Sequence, residues 1–354
     1  MRKNSWLVVV SVIFILIATS SFALAQDKKM FDGITVTIAT LAGGVKGPIS
    51  GPLYLYRQAW EELTGGKVNI VEIPFAQLPT KIKTDLITGA GKYDVMEPCG
   101  TMYGDLIAGN FIIPLDDFYN DKSGKYPAWD INEEGPPLAA LYKWGGKLYG
   151  VLNDSDSWIV YGRKDAFANP DYQKKFKEKY GYDLTWPPKN TDQYLDYCDF
   201  FNGWDWNGDG KDDYGNVMPL RVGAQGVFYF MAWLAPYITM PGPKVDAFHN
   251  TSFFNPETME PAINNPGSVK ALEDYVRMFQ SAPKGSLGWD LAEGWDNFLK
   301  GHAAVCINPG DIGSLAQEAE KSIIKGKLLC APIPTRMRPT TSCPSSPRER
   351  IWNR

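Results

Sequence analysis

Residues 142–167 read YKWGGKLYGVLNDSDSWIVYGRKDAF, and the division of this stretch decides the fold. Gly145-Gly146 reads as a tight turn, and Lys147 to Leu152 as a short apolar run with strand character. A polar interruption follows, Asn153-Asp154-Ser155-Asp156-Ser157. Trp158 to Tyr161 is a second β-rich run, closed by Gly162, and Lys164-Asp165-Ala166-Phe167 has the character of a helix start. Two structured runs thus flank a polar interruption, and Asp156 and Trp158, where it meets the second run, are candidate ligand contacts.

Upstream, helix and strand patterns alternate. Ile34 to Thr40 is a first strand, followed by a glycine-rich loop over 41–51 and a helix over 52–63, with Pro52 in its first turn. Tyr56, Trp60 and Leu63 share one helix face, and Gly65 is its stop. The loop lacks G-K-[ST], and its glycines do not read G-x-G-x-x-G, which argues against a nucleotide. Its glycines, Gly44 among them, would let a ligand approach the backbone at the carboxyl edge of a sheet. Val68 to Ile73, a helix over 78–88 and Tyr93 to Met96 continue a βαβ alternation that runs to residue 115 and predicts an α/β lobe.

The length of 354 residues exceeds one compact core and predicts two lobes. A hydrophobic content of 44% with 21% charged residues is that of an ordinary globular chain. A net charge of −4 gives no reason to expect nucleic acid or an anionic membrane as partner. Twelve Trp and 18 Tyr are an excess that suits pyranose rings, whose C–H faces pack on aromatic planes, although most aromatics fill cores.

Both ends have their own character. Arg2 and Lys3, the apolar run Leu7 to Ala18 and Ala23-Leu24-Ala25 predict a signal peptide over 1–25, with Gln26 starting an exported, unanchored chain. Export permits disulfides, but five Cys without a CxxC spacing predict buried free thiols instead. Residues 331–354 hold five Arg and no Lys, whereas residues 1–330 hold five Arg and 26 Lys. That switch, with Pro, Ser and Thr crowding the same tail, predicts a shifted reading frame past residue 330 and a disordered tail over 335–354.

The sharpest local motif is Asp205-Trp206-Asn207-Gly208-Asp209-Gly210-Lys211-Asp212-Asp213. It fits D-x-[DN]-x-[DN]-G, the opening of a calcium loop. Asp205, Asn207, Asp209 and Asp213 side chains and the Lys211 carbonyl would hold Ca2+ in a structural role. Asn216 stands where such loops end in a bidentate Glu, and a plain Asx/Gly turn is the competing reading. Farther on, Val227 to Ile238 is an apolar aromatic helix with Tyr229 and Trp233 one turn apart. Asn265-Pro266 caps a helix to Gln280, with Val269, Leu272, Val276 and Phe279 expected inside.

Four segments together resemble the bacterial extracellular solute-binding proteins of ABC importers, the maltose-binding type (family 1). Gly146, Lys147, Tyr149, Gly150, Val151, Lys164, Asp165 and Phe167 match the family's "GKxYGVP…YYNKDLF" crossing segment. Leu152 replaces its proline, and Gly162-Arg163 departs from its "YN". Pro114-Leu115-Asp116-Asp117 matches its PLDD element, and residues 298–313 resemble "F..GkaAM.i.g.w". Gly326 to Pro334 resembles its last "paP.P" strand.

The resemblance implies a two-lobed, hinge-linked α/β periplasmic-binding-protein fold, type II-like, with a ligand cleft between lobes. The first lobe is expected over 26–150, rejoined by 312–334, and the second over 151–311. A further helical segment should complete both lobes, and its loss would leave core uncovered. The resemblance places Thr101 and Tyr103 on the cleft wall, sends Tyr229 and Trp233 toward a sugar, and makes Asn308 and Asp311 candidates to hydrogen-bond its hydroxyls. The bland readings stand beside these: packed aromatics for Tyr103, Tyr229 and Trp233, and a turn with a helix cap over 308–311. The implied function is capture of a carbohydrate in the periplasm or outside the cell by a monomer that delivers it to an ABC permease, with no organic cofactor and no catalysis. The competing class is an exported calcium-dependent glycosidase. Two His, no H-E-x-x-H and no G-x-S-x-G argue against it.

Overall fold

A computed structural model describes residues 29–45, 47–126, 130–131, 142–154, 156–238, 253–254 and 258–336. The expected signal peptide and most of the anomalous tail lie outside those residues. The chain divides into two compact units at Asp154 and Ser155.

In the first unit, β1 (Thr35–Leu41) is the centre of a parallel sheet ordered β2-β1-β3, with β2 at Lys67–Ile73 and β3 at Val95–Met96. α1 (Ser50–Thr64) and α2 (Leu78–Thr88) make the crossovers, as the alternation of patterns predicts. Each ends on a glycine in the left-handed region, Gly65 at φ 80° and Gly89 at φ 63°. Ala39, Ile73, Leu78, Ile82, Met102 and Leu106 form the buried core. On the α1 face that Tyr56, Trp60 and Leu63 share, Tyr56 is 67% and Leu63 75% exposed, and of the three only Trp60 is half-buried, against Phe31. Two short helices, α3 (Tyr103–Ala108) and α4 (Asp116–Tyr119), follow. Asp116 of the PLDD element accepts a hydrogen bond from Leu148 N–H at 3.0 Å. β4 (Lys143–Trp144) and β5 (Lys147–Leu148) pair through Gly145-Gly146, both at positive φ, as a tight hairpin turn requires.

The second unit is built on a four-stranded sheet ordered β7-β8-β6-β9. β6 (Ile159–Arg163) is antiparallel to β8 (Ala303–Asn308) and β9 (Leu328–Pro332), and β7 (Tyr214–Val217) is parallel to β8. Residues 312–334, expected in the first lobe, belong to the second unit, because Leu328–Pro332 pairs residue for residue with β6. Around the sheet lie α5 (Lys164–Phe167), α6 (Pro170–Tyr180), α7 (Thr191–Phe200), α8 (Gly226–Ile238), α9 (Pro266–Gln280), α10 (Leu291–Leu299) and α11 (Asp311–Leu315). The Asn265 side chain caps α9 through Ser268 N–H, as expected. The face of α9 does not follow expectation: Val269, Leu272 and Val276 are about half exposed, while Ala271, Asp274 and Met278 are buried. Tyr237 donates to Asp274 at 2.9 Å and Trp233 to the Ala271 carbonyl at 3.0 Å, so polar anchors set the rotation of this helix.

The departure at Gly162-Arg163 has a packing cause. A Cβ on Gly162 would lie 2.4 Å from the Trp186 ring. Arg163 is buried; its guanidinium bonds both oxygens of Asp165 and the Gly301 carbonyl, and lies 5.2 Å from the Trp206 ring centre. Cys198 and Cys306 are buried free thiols, whereas Cys330 is exposed, because β9 is an edge strand. No helix of the described residues is long and apolar enough to cross a membrane.

Candidate functional site

In a parallel sheet all strands end on one side, and ligands of open α/β folds bind there. At that edge of the first unit, Glu97 directly follows β3, and its carboxylate accepts from Thr40 Oγ1 on β1 and from Asn153 Nδ2 at 2.5 Å. Asn153 also donates to the Ile49 carbonyl at 3.2 Å. Burial pushes the Glu97 carboxyl up, opposed by the Thr40 bond and aided by Asp154. Gly44, at φ 71°, has its N–H committed to Glu72 Oε1 at 2.7 Å and its carbonyl to Ser50. Thr101 is exposed. Tyr103 is half-buried edge-on to Tyr142, with its hydroxyl seated over Gly150, and burial pushes its pKa up to about 12. Glu97, Thr40 and Asn153 escaped the sequence analysis. The available signal was position, an acidic residue on the step after a strand at a sheet's carboxyl end.

The raised Glu97 titration carries a sign. A carboxyl titrating above its unfolded value favours the protonated folded form. Its stability contribution is present below the ordinary value of 4.5 and is lost as pH rises through the raised value. Glu97→Gln is therefore expected to gain thermal stability relative to wild type as pH rises from below 4.5 through the raised titration. A constant difference in Tm across that range, measured by calorimetry, would assign the titration to another group.

In the second unit the β6–β8 register sets Ile159 opposite Asn308. Asp156 and Trp158, which lead into β6, are thereby brought to the edge where β8 delivers Asn308, Pro309, Gly310 and Asp311. Asn308 is fully buried. Its Oδ1 accepts from Tyr229 at 2.5 Å and from Trp295 Nε1 at 3.0 Å, while its Nδ2 has no partner among the described residues. Trp158 stands edge-on to Tyr229 at 4.7 Å. Tyr161 donates to the Pro309 and Gly310 carbonyls, which holds the turn into α11. Asp156 is exposed beside Gly310, and Asp311 is 7% exposed.

The expectation for α8 divides. Trp233 is 1% exposed, bonded to Ala271 and packed on Tyr194 and Tyr237, so it packs as a core residue. Tyr229 is 3% exposed and reaches the edge only through Trp158 and Asn308. Trp295, which helps hold Asn308, was not anticipated. Its only sequence signal was an aromatic residue on an amphipathic helix.

The Asp205–Asp213 loop lies at the opposite edge of this sheet, before β7. Asp205 Oδ1 accepts from Gly208 and Asp209 N–H, and Oδ2 from Gly210 N–H. Asn207 Oδ1 accepts from Asp209 N–H, and Asp209 Oδ1 from Lys211 N–H. Asp213 accepts from Asn207 N–H at 3.0 Å and from Asn207 Nδ2 at 2.7 Å. Burial pushes the Asp213 carboxyl up, with Asp209 adding and the Asn207 N–H opposing. Asn216 faces away, accepting from Tyr194 inside the core. Asp209 and Asp213 converge with a residue absent from the expected set, His302.

Two α/β units, each presenting polar and aromatic side chains at one sheet edge, define the class, a two-lobed solute-binding fold. The family model for bacterial extracellular solute-binding proteins matches residues 56–335, and the chain belongs to that family. No curated protein matches it. Solved structures share the fold. An ABC transporter solute-binding protein from Agrobacterium radiobacter K84 in complex with ribitol has a TM-score of 0.66 at 19% identity, covering 88% of this chain and 69% of that one. One from Agrobacterium vitis S4 with bound D-mannitol scores 0.65 at 22% identity, covering 86% and 64%. Maltose-bound MalE3 of T. maritima scores 0.64 at 20% identity, covering 86% and 68%. The chain thus spans roughly two thirds of the length of these relatives.

Proposed function

We propose that this protein captures an uncharged sugar or polyol outside the cytoplasmic membrane and delivers it, chemically unchanged, to the transmembrane subunits of an ABC importer. The observation that carries the reading is the family match over 56–335, together with solved relatives whose bound solutes are ribitol, D-mannitol and maltose. Edge groups within each unit support it: hydroxyl-rich solutes need paired donors and acceptors, which Glu97 and Asn153 offer in the first unit and Asp156 in the second, and an aromatic plane, which Trp158 offers in the second. The chain reaches that compartment through a leader over 1–25 and acts as a monomer.

Thermal shift with ribitol, D-mannitol, maltose and D-tagatose tests this. One of them at a hundred times its Kd should stabilise the protein by about 2.7 kcal/mol. The solute should come back intact on chromatography. Turnover of maltose, or no response to any polyol or sugar in a wider panel, would end the reading.

The Asp205–Asp213 loop is proposed to hold a structural Ca2+ through Asp205, Asn207, Asp209, the Lys211 carbonyl and Asp213. Asp205 keeps lone pairs beyond the three bonds it accepts. The loop sits a strand's length from Trp158 and Asn308, so the ion would brace β7 without touching solute. Calorimetry on chelator-stripped protein should show binding by about millimolar calcium. No heat at that concentration retires the calcium reading.

A further inference from the structure

The parallel β7–β8 register places Tyr214 opposite Ala303, and Tyr214 N–H donates to the His302 carbonyl at 3.0 Å. Asp213 and His302, each one residue ahead of its strand, are therefore neighbours although the chain separates them widely. His302 Nδ1 lies 3.8 Å from Asp213 Oδ1 and 3.7 Å from Asp209 Oδ2. We propose that Asp209, Asp213 and His302 form a mixed nitrogen–oxygen site for a borderline divalent cation of the Zn2+ class. This rests on the reading of the loop as a cation site, and it gives that site a second mode of coordination.

The spacing favours a shared ion over direct bonding. Distances of 3.7 and 3.8 Å are too long for hydrogen bonds. Ligand atoms around one tetrahedral Zn2+ with bonds of about 2.1 Å are about 3.4 Å apart, so the two distances to His302 need shorten by only a few tenths of an ångström and the widest pair by no more than about 1.4 Å. All three ligand atoms lie within 4.8 Å of one another.

The electrostatics point the same way. Asp213 is 1% exposed, and the hydrogen bonds it accepts come from Asn207, a neutral donor. A buried carboxylate is costly without a compensating charge. The cationic partner within 4 Å is His302, which is charged only if protonated. A dication supplies the charge and leaves the imidazole neutral, in its ligating form.

The three ligands differ from the calcium set in kind as well as number. Carboxylates and carbonyls suit hard cations, whereas an imidazole moves preference toward Zn2+ and its neighbours in the first transition row. Asp205 contributes no atom to this trio: its oxygens cap Gly208, Asp209 and Gly210 N–H and so shape the turn that presents Asp209. His302 and Asp209 are about one third exposed, which leaves a path from solvent and room for water ligands.

The test uses the full chain, stripped with chelator, and His302→Gln, a substitution at a partly exposed position that far-UV circular dichroism should show folded. Calorimetry with Zn2+ and visible absorption with Co2+ as probe should each give one equivalent in wild type. The variant should lose the Co2+ band and bind Zn2+ at least about tenfold more weakly, with calcium binding unchanged. Imidazole nitrogen resonances of the wild type should shift for His302 on Zn2+ addition, with His249 as internal control. Equal Zn2+ affinity in both proteins, or no His302 shift, overturns the proposal. A wild type that binds Zn2+ but not calcium overturns only the calcium reading.

Discussion

Gly215→Ala is expected to prevent the second unit from folding around its sheet. Gly215 is a buried residue of β7, and a Cβ there would lie 1.6 Å from the Cys198 carbonyl oxygen and 2.5 Å from its carbonyl carbon. Both are backbone atoms of α7, so no rotamer change relieves the clash. α7 cannot retreat, because Tyr194, Leu195, Tyr197 and Cys198 are fully buried beneath it. Separating α7 from β7 should also break the Tyr194–Asn216 hydrogen bond. The cost should be at least about 3 kcal/mol, a large share of the 5–15 kcal/mol that holds a typical domain. Near-ultraviolet circular dichroism should lose the aromatic signal of this unit. Gly288→Ala, where an added Cβ meets open space, is the control and should be silent within about 0.5 kcal/mol. A cooperative, wild-type-like melt for Gly215→Ala would mean that α7 and β7 are not packed as described.

Trp233→Ala should cost about 3–5 kcal/mol, the range for removing a large buried aromatic side chain. The side chain is 1% exposed, lies 5.9 Å from the Tyr194 ring and 5.5 Å from that of Tyr237, and ties α8 to α9 through the Ala271 carbonyl. For a unit of this size the fall in Tm should be roughly 10 °C. Trp233→Phe, which keeps most of the volume, should retain the thermal response to solute unchanged. A Trp233→Ala protein with normal Tm and no solute response would instead make Trp233 a ligand contact. Trp158→Ala should show that second pattern, because Trp158 is the partly exposed member of its pair with Tyr229.

The pair Tyr229 and Trp233 shows where sequence reasoning reached its limit. The helix was legible: an apolar run with two aromatics one turn apart. Whether its aromatics face a solute or a core depends on α9 and α7, and no local pattern reports their positions. The same holds for α9, whose cap at Asn265 is as expected while its apolar stripe at Val269, Leu272 and Val276 lies outward. A helix's rotation is settled by neighbours, here by Tyr237 on Asp274 and Trp233 on Ala271. Glu97 was missed for a related reason. One acidic residue carries no signal until β1 and β3 pair and bring Thr40 onto it.

Local chemistry alone determined the alternation of strands and helices over 34–115, the stops at Gly65 and Gly89, the Gly145-Gly146 hairpin and the turn-forming acids of the 205–213 loop. Each of these depends on residues within a few positions of one another, through periodicity, φ preference or a short-range hydrogen bond. Tertiary structure decided the rest: the pairing of Leu328–Pro332 with β6, the burial of Trp233, the Asn308 hub and the meeting of His302 with Asp213. Those contacts arise from strand register and helix rotation, which only the joint packing of segments distant in sequence can specify.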